Sequence, residues 1–256
     1  MVKLTIIAFS SSGEAGVQDW LRSIKSQRYR FWEAILIESH GDIGRISTWY
    51  GDTGKRHVKD VKPPSSHNDA LNMGLARASG DVICLLRVNC AFKTADVMGR
   101  VAGIMEDPEV DLVFGNIEVN KIVDGTGQKR LAHTSNHQPP LHARERIPQP
   151  DCLFVRADWW HYFGGLETCY RRGSEFARVL DLLSQPGIEA RYLDEVLVTR
   201  HQVEPRRESR YLFKSLGEIR IASAKGRFWS YMKSRWRARA IPSHPGGFRS
   251  EFPWSS

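Results

Sequence analysis

The stretch SHNDALNMGLARASGDVICLLRVNCAF, residues 66–92, decides the fold. Ala70, Leu71, Gly74, Leu75 and Ala78 recur at helical spacing and make an apolar stripe. Ser66 and Asp69 stand in front of that stripe at the spacing of a capping box. DVICLL, at 81–86, is then a nearly continuous apolar run, the pattern of a short strand buried on both faces. A capped helix feeding a buried strand predicts a βαβ unit.

Outward from this segment the same rhythm repeats. LTIIAF (4–9), AILIE (34–38) and DLVFG (111–115) are further buried-strand runs, and helical patterns lie between the strands. In 14–28, Val17, Trp20, Leu21 and Ile24 fall at i, i+3, i+4 and i+7, with Ser11 and Glu14 spaced as a second capping box. Strand and helix in alternation predict an α/β domain with right-handed crossovers. After about residue 116 the rhythm breaks, and 120–150, with GTG, QPP and IPQP, reads as a long ordered or semi-ordered loop. Regular structure resumes with CLFVR (152–156), a helix from Ser174 to Ser184, and ARYL (190–193) leading into EVLVTRH. From residue 206 the pattern is a basic helix or pair of helices, followed by a Pro/Gly/Ser tail from 242.

The 256 residues suffice for one large α/β domain with an appendage. A hydrophobic share of 41% and well-spread aromatics exclude a disordered chain. No apolar run approaches the roughly 18 to 20 residues that cross a bilayer, and the apolar run in MVKLTIIAFSSS is short for a secretory signal. The expected location is the cytoplasm. Cys84, Cys90, Cys152 and Cys169 show no CxxC spacing and read as reduced thiols. The net charge of +8 is uneven: residues 1–199 hold 24 Lys and Arg against 25 Asp and Glu, whereas 200–241 hold 12 against 3. The basic character belongs to the C-terminal appendage.

Four pieces, in this order, resemble the inverting family 2 glycosyltransferases of the GT-A fold, over about residues 3 to 201. TIIAFSSS followed by SIKSQRYRFWEAILIESHGD is similar to the family's opening strand, its S-hydrophobic-x-x-Q helix and a second strand ending in an acid. NDALNMGLARASGDVICLL resembles the helix and strand before the family's metal motif, and LVFGNIEV the strand that usually comes next. FVRADWWHYFGGLETCYRRGSEFARVLDLL resembles the segment carrying the Gly-Gly turn and the catalytic acid, before RYLDEVLVTRH. The resemblance implies a GT-A domain over residues 1–203, a mixed and mostly parallel sheet with flanking helices, and a basic helical extension and tail over 204–256.

The same resemblance implies a function: transfer of a sugar from a nucleotide-diphosphate donor to an acceptor hydroxyl with inversion, in cell-surface polysaccharide or glycolipid synthesis. Such chemistry needs stabilisation of the charge on the departing diphosphate and an acid near the acceptor as general base. By the same resemblance Glu175 is the base, and Ala8, Ser10, Glu38, Asp69, Asn72, Arg87 and Asn89 fall at nucleotide-sugar-binding positions, Glu38 toward the nucleobase or ribose. Each has a structural reading beside the functional one. Glu38 can be a solvated strand-end residue, Asp69 a capping acid, and Asn72 a packing amide. Glu175 gains roughly 0.3 to 1 kcal/mol from a helix N-terminus whatever its chemistry. Glu167, after GGL, reads as structural, and His133, His137 and His142, spaced by four and five, would make a metal face on a helix, against which QPP argues.

LLRVNCAF puts Asn89 and Cys90 where the family's two metal-binding aspartates stand, and neither is a good ligand for Mg²⁺ or Mn²⁺. Three explanations compete. Arg87, or Arg144 and Arg146, can neutralise the diphosphate without metal; Asn89 and His201 can hold a metal weakly; or transfer has been lost and the chain binds a sugar nucleotide or a partner protein. In 206–241, Arg and Lys alternate with Tyr211, Phe213, Phe228, Trp229, Tyr231 and Trp236. This mixture fits an anionic membrane surface and would bring the cleft to a carbohydrate or lipid-linked acceptor, as a peripheral protein on the inner face. The alternative is a solvated face of a packed helix. No recognition motif for nucleic acid is present.

Overall fold

The computed structural model of the chain describes residues 1–11, 16–123, 126–132, 148–168, 173–203 and 238–241. In chain order its elements are β1 (Leu4–Ser11), α1 (Val17–Lys25), β2 (Trp32–His40), β3 (Ile43–Tyr50), β4 (Arg56–Val61), α2 (His67–Leu75), β5 (Val82–Leu85), β6 (Cys90–Phe92), α3 (Val97–Met105), β7 (Leu112–Val123) and β8 (Thr126–Ala132). A 3-10 turn (Pro150–Cys152), β9 (Leu153–Arg156), α4 (Ala157–Phe163), α5 (Ser174–Leu183), β10 (Ala190–Val203) and β11 (Ala238–Ile241) follow.

The predicted apolar runs become the middle of one sheet, ordered β11-β10-β7-β9-β5-β1-β2-β3-β4, with β6 also on β10 and β8 on β7. β1 is parallel to both β2 and β5, so these three strands end at one edge. β7, β10 and β11 are parallel to one another, while β9 runs antiparallel between β5 and β7. Alternate side chains of the strands face opposite layers. Leu4, Ile6, Ala8, Ala34 and Leu36 pack with Trp20 and Ile24 of α1 and Met98, Val101 and Met105 of α3. On the other side Ile7, Ile35, Ile37 and Ile83 pack with Ala70 and Leu71 of α2, Trp160 of α4 and Val179, Leu180 and Leu183 of α5. The sheet is therefore covered on both faces by helices, which is why its central strands are mostly apolar on both faces, with Thr5 and Glu33 as buried polar exceptions.

Four expectations change. The helix after β1 starts at Val17 with Gly16 at its cap and no side-chain cap, and Ser11 is the last residue of β1, so the Ser11–Glu14 box does not start it. Gly16 has φ 113°, and a Cβ there would sit 2.6 Å from the Val88 carbonyl oxygen. The close approach of Gly16 to the backbone after β5, together with its positive φ, requires glycine and overrides the capping preference. Between β2 and α2 stand two strands the sequence reading lacked: β2 turns directly into β3, which pairs antiparallel with it, and β3 with β4. The loop predicted from 120 begins instead as a hairpin, β7 with β8, paired from Ile117↔Ala132 to Val123↔Thr126. Residues 238–241 of the basic segment form a strand alongside β10; the rest of 204–256, including its predicted helices, lies outside the described residues. No helix among the described residues is long and apolar enough to cross a membrane.

Candidate active site

The parallel strands β1, β2 and β5 bring their C-terminal ends to one edge, the position at which open α/β sheets assemble ligand sites. Ser10 of β1 and Glu38 of β2 are register partners there. Ala8 and Ser10 are both buried, and the Ser10 hydroxyl donates to the Ser11 carbonyl at 3.1 Å. Glu38 is half-buried, but it does not end its strand: β2 continues to His40, and Glu38 pairs in register with Arg45 of β3. Beyond β5 the chain keeps its register for one more residue, with the Leu86 N–H donating to the Ile7 carbonyl. The Trp20 indole N–H donates to the Leu86 carbonyl at 2.9 Å, tying α1 to the backbone that carries Arg87.

Two helices point their N-termini at this edge. Ser66 caps α2 by accepting from the Asp69 N–H, and the Asp69 carboxylate accepts from the Ser65 N–H and hydroxyl at 2.7 and 2.9 Å. The Asp69 carboxylate thus ties the residue before the cap to the first turn of α2. Asn72 donates to the Leu166 carbonyl at 2.9 Å and accepts from the Leu166 N–H at 2.8 Å, clamping the Gly164-Gly165-Leu166 turn to α2. Gly165 has φ 83°, and a Cβ on it would lie 2.6 Å from Asn72 Oδ1. Asn68 and Ser174 both donate to the Glu167 carbonyl, so the next residue is pinned as well. From this anchored turn α5 begins, with Glu175 in its first turn.

Glu175 is 8% exposed. Leu85, Leu153, Trp160, Val179 and Leu182 wall the small cavity behind it. His67, the first residue of α2, donates from Nε2 to Glu175 Oε1 at 3.0 Å, and its ring meets Phe9 edge-on at 5.6 Å. Burial pushes the Glu175 carboxyl up, but the His67 hydrogen bond and the charges of Arg87 and His67 outweigh it and hold the group at about 2. It is ionised at neutral pH.

Arg87 links this carboxylate to a second one. Its Nη2 is 4.0 Å from Glu175 Oε1, and its Nε is 3.4 Å from Asp151 Oδ1. Asp151, in the 3-10 turn, is 1% exposed, and its Oδ2 accepts from Arg200 of β10 at 3.1 Å. Asp151, with help from Glu175, raises the Arg87 guanidinium's affinity for its proton, although the side chain is partly packed and 44% exposed. The structure thus brings together Glu175 and Arg87 of the predicted residues, and adds His67, Asp151 and Arg200. His67 follows the capping serine directly, a place where a side chain looks out of a helix end; Asp151 and Arg200 carry no pattern that singles them out.

Asn89 and His201 are also neighbours, through the backbone. The His201 N–H donates to the Asn89 carbonyl at 2.9 Å, and the Asn89 side-chain amide donates to the His201 carbonyl at 3.2 Å. Asn89 Oδ1 faces the Cys90 thiol at 3.6 Å, and burial pushes that thiol well above its usual range. Among the described residues no three His, Cys, Asp or Glu side chains converge as a metal site would need. A neutral amide already hydrogen-bonded and a protonated thiol do not fit Mg²⁺ or Mn²⁺, which take oxygen ligands, carboxylates foremost. Arg144, Arg146, Cys169 and the histidines 133, 137 and 142 lie outside the described residues.

Sheet order and the helices on both faces make this a mixed α/β sheet resembling the GT-A fold of glycosyltransferases. Particular solved structures share it. The fragment 1–349 of S. aureus TarS matches with a TM-score of 0.57 and 11% identity over 78% of this chain and 60% of that one. The same fragment in complex with UDP-GlcNAc gives 0.55 and 11%, over 81% and 60%. The mannosyltransferase PcManGT of Pyrobaculum calidifontis, in complex with GDP-Man and Mn²⁺, gives 0.54 and 14%, over 80% and 57%. Mannosyl-3-phosphoglycerate synthase of Rubrobacter xylanophilus gives 0.50 and 13%, over 91% and 77%. The chain therefore spans about 60% of the TarS fragment, and at these identities the likeness is one of fold. No family model and no curated protein matches the sequence.

Proposed function

We propose that this protein transfers a sugar from a nucleoside-diphosphate donor to an acceptor hydroxyl with inversion, using Glu175 as general base. The observation that carries this reading is the buried, ionised Glu175 carboxylate at the start of α5, held by His67 at the C-terminal edge of β1 and β5 in a GT-A fold. Two of the solved structures with this fold contain UDP-GlcNAc or GDP-Man. In the reaction the acceptor hydroxyl gives its proton to Glu175 while its oxygen attacks the anomeric carbon. The bond from that carbon to the diphosphate oxygen breaks from the opposite face, and the diphosphate leaves with the electron pair. His67 keeps the carboxylate ionised and aimed; Asn72, through Leu166, fixes the turn from which α5 starts.

The acceptor is read as a carbohydrate or lipid-linked sugar of a cell-surface polysaccharide or glycolipid, met at the cytoplasmic face of an anionic membrane by the basic segment 204–256. Release of nucleoside diphosphate from candidate donors, with the acceptor carried in anionic or neutral vesicles, tests these statements together. Glu175→Gln is expected to lower turnover by roughly 10²- to 10⁴-fold while donor binding persists; an unchanged rate removes Glu175 from the role. A second reading, a non-catalytic sugar-nucleotide binder, is favoured by Asn89 and Cys90 standing where acids are expected. It wins if the wild type binds donors but neither transfers nor hydrolyses them.

A further inference from the structure

Arg87 is the one strongly basic side chain among the described residues that approaches Glu175, and its surroundings are unusual for an arginine that merely stabilises a fold. Its guanidinium is flanked by two acidic side chains, yet among the described residues it makes ion pairs at 3.4 and 4.0 Å and no hydrogen bond. Its side chain is 44% exposed, while the carboxylate behind it, Asp151, is 1% exposed. Asp151 Oδ1, the oxygen facing Arg87, is buried without a hydrogen-bond donor. Arg200 donates to the other oxygen at 3.1 Å. A buried carboxylate between two arginines holds the more exposed one in place, and close to half of the Arg87 side chain stays open.

The location adds to this. Arg87 stands two residues beyond the end of β5, on the edge shared with Ser10 and Glu38. The chain turns past it into Asn89 and Cys90, whose donor set does not fit a hard cation. A planar guanidinium with free N–H groups matches the oxygens of a phosphate in paired hydrogen bonds, which a fixed point charge does not.

We propose that Arg87, positioned by Asp151 and Arg200, binds the diphosphate of the donor, and that this protein binds nucleoside diphosphates without a divalent metal. The inference rests on the function proposed above and gives that site its phosphate ligand. Arg87 contacts the substrate; Asp151 is a positioning residue acting through it. On binding, the guanidinium exchanges its long ion pairs for hydrogen bonds to the phosphate oxygens, and Asp151 remains behind as its anchor. No bond to the sugar changes in this step.

The test is calorimetric titration of the full chain with UDP and GDP, in EDTA and in Mn²⁺, for the wild type, Arg87→Met, Arg87→Lys and Asp151→Asn. Expected is binding in EDTA equal to that in Mn²⁺, weakened roughly tenfold to a hundredfold by Arg87→Met and less by Arg87→Lys, which keeps the charge but loses the fork. Because Asp151 is buried, its variant is judged by the ratio of UDP to UMP affinity, which a loss of folded protein does not change; the ratio should fall toward that of Arg87→Met. Binding that requires Mn²⁺, or binding in EDTA that Arg87→Met leaves unchanged, overturns this inference and leaves the proposed function standing. Absence of binding by a wild-type protein that melts cooperatively, with either nucleotide and with or without metal, removes the proposed function and this inference with it.

Discussion

A carboxylate placed among Leu85, Trp160 and Val179 should be hard to ionise, since burial disfavours the charged form. Glu175 nevertheless lies at about 2, below its ordinary 4.5, because His67 donates to it and Arg87 stands nearby. A folded-state value below the unfolded one means that ionised Glu175 stabilises the fold. That contribution is complete above about pH 4.5 and is lost as the pH falls through about 2. Urea unfolding of the wild type and Glu175→Gln across this range should show their stability difference shrinking by on the order of 3 kcal/mol toward the acid end. A difference that stays constant with pH would mean that the ion-pair account of Glu175 is wrong. For catalysis the same setting is restrictive, since so acidic a group is a weak base. Withdrawal of Arg87 to a bound phosphate would remove one of the charges that depress it, so donor binding and base strength are linked through one side chain.

At the scale of elements, the site depends on how α5 is aimed, and that depends on α2. Asn72 holds both backbone groups of Leu166, and Leu166 is buried, so nothing else can satisfy them once the amide is removed. Asn72→Ala should destabilise by roughly 2 to 4 kcal/mol, seen as a lower Tm, with turnover falling because the start of α5 loosens. If Asn72 instead acted mainly as a nucleotide ligand, as the resemblance implies, UDP affinity would fall at unchanged Tm. The elements that build this platform are legible in the sequence for a physical reason: β1, β2 and β5 are buried on both faces and read as unbroken apolar runs, and α2 and α5 keep one apolar stripe each. β4, RHVKDV, is exposed along nearly its whole length, and β3 alternates, so neither gives an apolar run. Glu175 is legible through its place at a helix start. Its partners are not, because His67 is 108 residues away in the chain and Asp151 joins Arg87 only once β9 has inserted beside β5. Capping spacing served well at Ser66 and failed at Ser11, where the approach of Val88 demanded glycine.

Across the whole molecule, the two edges of the sheet are set up for different tasks. The edge with the C-terminal ends of β1, β2 and β5 carries Arg87, whose ion pairs are long, and Asp151, one of whose oxygens has no hydrogen-bond donor among the described residues. The opposite edge carries a closed network around Glu33, which is 1% exposed. One oxygen of Glu33 accepts from the Thr5 hydroxyl and the Ser79 N–H, the other from Lys3 and the Ser79 hydroxyl, at 2.6 to 3.0 Å. Burial pushes this carboxyl up, and the bonds from Ser79, Thr5 and Lys3 bring it below its ordinary range. The network joins β1, β2 and the chain entering β5, the three strands that present the site at their other ends. Glu33→Gln would set an amide N–H₂ against donors and leave the partly buried Lys3 ammonium without its anionic partner, only its bond to the Ser79 hydroxyl remaining, at a cost of about 3 to 5 kcal/mol. The folded variant should bind UDP as the wild type does, because its disturbance is a strand's length from Arg87. Chemical denaturation together with titration below the variant's Tm checks both halves. A loss of affinity in fully folded Glu33→Gln would show that the two edges are mechanically coupled rather than independent.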